Sequence, residues 1–192
     1  MSPPIPEGHI PTWVGVGGSP QSVVRAARFG LPLMLAIIGG RPERFAPYVE
    51  LYKRSLEEHG QPELPVGMHT LGFVAATDEE AVRIQWPKYQ EQFARIGEER
   101  GWSPPTYEHF LAEVDHGSMY VGSPETVARR IAEVVRTLGL NRFHLHYAIG
   151  RIPHEQRMDM IDLFGREVIP HVRELLAATP EPDTSLTAGG GS

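Results

Sequence analysis

The chain has 192 residues, with 18 Lys and Arg against 24 Asp and Glu, and a formal net charge of −6. It carries no basic run that could cluster on phosphates, which excludes a nucleic-acid reader and a polybasic membrane surface. It has no cysteine, so disulfides, thiolate metal sites and cysteine nucleophiles are excluded, and a reducing, cytoplasmic setting is the expectation. The longest apolar run, residues 31–38, is far too short to cross a membrane. The start, MSPPIPEGHIP, lacks the basic and apolar regions of a secretory signal.

In chain order, residues 1–9 hold three prolines and read as a disordered lead. Residues 10–17 (IPTWVGVG) are the first predicted strand. Ser19 as N-cap and Pro20 at the first helical position open a helix with Val23, Ala26 and Ala27 on one face, and Gly30 stops it. Residues 31–38 (LPLMLAII) are continuously apolar, the pattern of a strand buried on both faces. Residues 43–59 form a helix with Phe45, Val49, Tyr52 and Leu56 at helical spacing, closed by Gly60.

Residues 67–75 (GMHTLGFVA) give a third strand. Thr77 and Glu80 make a capping box for a helix running to about residue 100, with a bend expected at Pro87. Residues 101–119 read as an irregular insert. Ser123 and Pro124 open a helix that points Val127, Ile131, Val134 and Leu138 inward and stops at Gly139. Residues 141–149 (NRFHLHYAI) are the fourth strand, and residues 153–176 a last helical stretch broken near Pro170. Residues 179–192, ending TSLTAGGGS, read as a flexible tail. One domain, residues 10–178, is therefore expected.

Four strand–helix repeats predict an α/β fold with a parallel sheet. Four strands cannot close a barrel by themselves, so the pattern is half of one. An internal echo, GSPQSVV from Gly18 and GSPETVA from Gly122, fits either duplicated ancestry or two helices sharing one efficient cap.

The loop GVGGS, residues 15–19, leaves a strand and ends at a helix N-terminus. Its glycines let a ligand approach the backbone, and free N–H groups with the positive helix end suit a phosphate. A tight turn would need the same glycines, and neither the Lys of a Walker loop nor dinucleotide spacing is present. His144 and His146 alternate along the fourth strand and share a face opposite Phe143, Leu145 and Tyr147. They read either as a proton donor or polar contact to a bound ring, or as hydrogen-bonded core histidines. A metal site is not expected, because further ligands are missing. His69, His116 and His154 read as isolated surface or structural residues. Met34 and Ile38 read first as core, yet they lie near the end of a strand where a barrel would hold a ligand.

The segments PTWVGVGGSPQSVVRAARFGLPLMLAIIGG, GFVAATDEEA, YVGSPETVARRI and RFHLHYAIGRIPHEQRMDMIDLFGREVIPHVREL together resemble the luciferase-like monooxygenase family. The resemblance implies the C-terminal half of a TIM-type (β/α)₈ barrel, its strands like the fifth to eighth. It implies a flavin-dependent oxidoreductase, a flavoprotein using reduced FMN and oxygen on a small organic substrate, with F420 as the alternative cofactor. Gly17, Gly18, Ser19 and Ser22 would then hold the cofactor phosphate, Met34 and Ile38 would border the ring, and His144 and His146 are the catalytic candidates. The missing first four strands imply a fragment or truncated reading frame, or else a homodimer or a complementary half-barrel chain as partner. Otherwise the chain is a non-catalytic, flavin-binding half.

Overall fold

A computed structural model describes residues 10–178. The expected lead and tail lie outside the described residues.

Five strands form one wholly parallel sheet: β1 (Val14–Val16), β2 (Leu33–Ala36), β3 (Val66–Val74), β4 (Met119–Gly122) and β5 (Arg142–His146). β3 organises the sheet because it is the longest. Its first half pairs with β2 and with β5 over overlapping residues, which puts those two on opposite edges, and its second half pairs with β4. Across the sheet the order is therefore β1, β2, β3, β5. Each of β1 and β5 pairs with a single neighbour among the described residues.

The crossovers are helical, as parallel pairing requires. They are α1 (Pro20–Arg28), α2 (Ala46–Glu58) after a 3₁₀ turn (Pro42–Phe45), α3 (Asp78–Arg100), α4 (Tyr107–Asp115) and α5 (Pro124–Leu138). After β5 come α6 (His154–Leu163), a π-helical turn (Phe164–Val168) and α7 (Ile169–Ala177). Strand alternation sends Val16, Leu33, Leu35, Val66 and Met68 towards the helices, where Val23, Ala26 and Ala27 of α1 also bury. Each large aliphatic side chain in that layer contributes about 1.5–3 kcal/mol.

Three expectations need correction. The insert is not irregular: Thr106 Oγ1 accepts the N–H of His109 to cap α4, and Phe110 and Val114 bury one turn apart. Trp86 and Tyr89 of α3 pack on Phe110 with ring centroids 5.5 and 5.0 Å away. That packing stabilises a helix whose own apolar signal is short. A strand at Met119–Gly122 follows, making five strands rather than four. Finally, residues 31–38 are buried on one face only: Leu33, Leu35 and Ile37 are inaccessible, but Met34 and Ala36 are half-buried on the face away from the helices.

The two prolines are accommodated differently. α3 continues through Pro87 to Arg100, as the capping-box reading expects. Ahead of Pro170 the chain widens into the π turn instead of breaking, and the proline takes a place in the first turn of α7, where its missing N–H is tolerated.

Candidate functional site

The face away from the helices is built in tiers fixed by strand register. Gly15, Met34, Gly67 and Arg142 are aligned across β1, β2, β3 and β5. Above them lie Ala36, His69 and His144, and then Leu71 and His146. The sheet curls enough for Trp13, just before β1, to meet Arg142 of β5, whose guanidinium carbon is 5.5 Å from the ring centroid. This is therefore the inner, concave face. Its floor is filled at Gly67, where a Cβ would fall 2.8 Å from Met34 Cε and 3.1 Å from Trp13 Cζ3. Met34 thus packs the floor of the inner face.

The next tier brings together residues that are distant in sequence. His69 Nδ1 lies 3.2 Å from His144 Nδ1, with ring centroids 5.0 Å apart and edge-on. The ring of His146 is 5.7 Å from that of His69. His69 is half-buried, whereas His144 and His146 are exposed. Partial burial, and then the proximity of His144 and His146, hold the His69 imidazole below the usual histidine pKa. The sequence reading paired His144 with His146 but left His69 isolated. The missing signal was the register of two strands 75 residues apart. Among the described residues no group of three His, Asp or Glu side chains has the geometry to hold a metal ion.

At the C-terminal end of β1 the loop turns through Gly18, at φ +119°, a conformation that favours glycine. Its carbonyl accepts the hydroxyl of Tyr48 at 3.0 Å. Ser19 caps α1: its Oγ accepts the Ser22 N–H at 3.3 Å and donates to Gln21 Oε1 at 3.2 Å. Ser19 therefore offers its backbone N–H, not its hydroxyl, to a ligand. Ser22 Oγ accepts from Arg25 Nη2 at 2.9 Å, which leaves its own proton available and places a guanidinium beside it.

The echoed motif shows what such a loop can hold. At the start of α5, Ser123 Oγ caps Thr126 N–H in the same way. Here the Asp78 carboxylate sits on the motif, accepting the Ser123 N–H at 2.6 Å and the Thr126 hydroxyl at 2.9 Å. A Cβ on Gly122 would fall 2.7 Å from that carboxylate. Gly18, Ser19 and Ser22 occupy the corresponding positions on α1, and no carboxylate contacts them among the described residues.

Ile38 lies beyond the end of β2 and borders a cavity of about 200 Å³ with Tyr89, Phe93 and Trp102. That cavity is shared with α3 rather than with the loop. A larger groove of about 870 Å³ between α3, α4 and α5 contains none of the predicted site residues. No helix among the described residues is long and apolar enough to cross a membrane.

The family model for luciferase-like monooxygenases matches residues 1–142. Among solved structures, a monooxygenase, RslO1, from Streptomyces bottropensis superposes with a TM-score of 0.68 at 22% identity, covering 83% of this chain and 47% of that one. The oxygenating constituent of 3,6-diketocamphane monooxygenase from Pseudomonas putida, solved in complex with FMN, gives 0.64 at 18% identity, covering 83% and 48%. The coenzyme F420-dependent tetrahydromethanopterin reductase from Methanopyrus kandleri gives 0.56 at 20%, covering 85% and 51%. The chain spans about half the length of these structures. Among curated proteins, none is similar enough in sequence to match it.

Proposed function

We propose that this chain, which belongs to the luciferase-like monooxygenase family, supplies the phosphate-holding half of a barrel in an oxidoreductase that acts on a small organic substrate with reduced FMN and oxygen. The observation that carries the reading is the Asp78 carboxylate seated on the second Gly-Ser-Pro motif. It is an internal stand-in for an anion on the first.

The residues fit a cofactor phosphate. Ser19 N–H and the Ser22 hydroxyl correspond to the two donors that hold Asp78, the α1 N-terminus favours negative charge, and Gly17 and Gly18 allow backbone approach. Arg25 holds Ser22 and adds positive charge. When bound, a reduced flavin supplies the electrons for oxygen chemistry, and a deazaflavin supplies hydride. The protein positions that group and its substrate against the inner face. Met34 and Trp13 exclude water from the floor, and His144 and His146 are placed to hold or move a proton. F420 is the alternative cofactor, since it presents a phosphate as FMN does and related structures are found with each.

A second reading, a flavin-binding or assembly half without turnover of its own, is favoured by the coverage of about half of each related structure. The outer edges of β1 and β5, unpaired among the described residues, would then take a complementary half-barrel chain or a second copy. The purified chain should be given FMN and its flavin spectrum recorded, and reduced FMN should then be supplied and its reoxidation by oxygen followed against a protein-free control. Bound flavin with turnover supports the enzyme. Bound flavin that turns over only after a complementary half is added supports the subunit. No bound flavin in either preparation overturns both.

A further inference from the structure

We propose that His69 and His144 act as one proton-sharing base on the inner face, taking up an acidic aromatic molecule (a phenol, enol or aromatic carboxylic acid) as its anion beside Arg142 and His146. This names the substrate class of the reading above, and it rests on that reading for the inner face being where substrate lies.

The argument begins at the 3.2 Å between the two Nδ1 atoms. Two imidazole nitrogens at that distance hold a single proton between them, because one must donate and the other accept. The accepting ring then carries its own proton on Nε2, while the donating ring has a bare Nε2. The neutral pair thus offers one N–H donor and one base. When it takes a proton from an acid, the O–H bond of the acid breaks and an Nε2–H bond forms. Both rings then present an N–H to the anion produced, and the shared Nδ1 proton stays in place.

The surroundings suit this exchange. The other inward positions are Trp13 and Gly15 from β1 and its approach, Met34 and Ala36 from β2, Gly67, Leu71 and Phe73 from β3, Met119 and Val121 from β4, and Arg142 and His146 from β5. None is Asp or Glu, so no internal carboxylate competes for the pair. The titratable or charged groups facing it from these strands are Arg142 and His146, and both favour an anion. Partial burial and the neighbouring histidines lower the His69 pKa, which disfavours its charged form when the face is empty. Met34, Leu71 and the Trp13 ring supply an apolar flank for the aromatic body.

The test uses 4-nitrophenol, whose absorbance reports its ionisation, titrated into the full chain above the probe's own pKa. Calorimetry in two buffers of different ionisation heat counts protons. We expect saturable binding of the coloured anion with about one proton taken up per probe. His69→Gln and His144→Gln should each abolish that uptake and weaken binding by about tenfold, the scale of one charge-assisted hydrogen bond. The ratio of FMN to riboflavin affinity, which isolates the phosphate's share of binding, should be unchanged in both variants, since the Gly17–Ser22 loop is a separate structure from the two histidines. Loss of FMN binding by the unsubstituted chain, with probe binding intact, would defeat the flavin reading and leave this one standing. Absence of saturable probe binding, or proton uptake unchanged in both variants, would overturn the proposal. If the variants do not fold, imidazole ¹H–¹⁵N spectra of the unsubstituted chain decide. One protonated Nδ1 between His69 and His144 is required, and two or none contradicts it.

Discussion

Single side chains carry the phosphate argument. Replacing Gly18, at φ +119°, with Val both strains the turn and obstructs backbone approach, so FMN affinity should fall. Ser22→Ala removes one hydroxyl donor and should cost about 0.5–1.5 kcal/mol of binding. A fluorescence titration with both affinities unchanged would remove the loop from the site. Elsewhere, Gln85 is fully buried, and neither its Oε1 nor its Nε2 has a hydrogen-bond partner among the described residues. A buried amide without partners costs about 1–3 kcal/mol, so the near-isosteric Gln85→Met should raise the urea midpoint. A lower midpoint would mean that the amide is satisfied by a bridge.

Among the elements, Asp78 ties the start of α3 to the start of α5. Burial pushes its carboxyl pKa up, but the Ser123 N–H, the Thr126 and Ser123 hydroxyls and the charge of Arg129 outweigh that and hold it below the usual carboxylate value. Its contribution to stability is therefore complete above the unfolded carboxylate pKa and is lost as pH falls through the lowered folded one. Asp78→Ala should cost about 1 kcal/mol near neutrality, the low end for charged hydrogen bonds because the group is exposed. The difference from the parent should vanish in acid, and urea unfolding at both pH values checks it. The helix caps were legible because Ser19, Thr77 and Ser123 act locally. α4 and β4 were not, since they depend on aromatic packing from α3 and on pairing with β3. The same reason hid His69: its partner is set by strand register, which no local pattern records.

For the whole molecule, the open feature is the inner face, with the outer edges of β1 and β5 beside it. Two curled parallel edges and a half-buried face carrying Met34, Ala36 and Leu71 are surfaces that a complementary half or a second copy would cover. Light scattering at micromolar concentration should therefore report an assembly larger than one chain, and a cooperatively folding monomer would contradict this. What such an assembly contributes to function rests on the central claim that this half holds the cofactor by its phosphate. Parallel fluorescence titrations of the chain with FMN and with riboflavin, which has the same ring and no phosphate, test it most directly. The account predicts FMN bound at least about tenfold more tightly, the equivalent of about 1.4 kcal/mol. Equal affinities, or no binding of either, would contradict it.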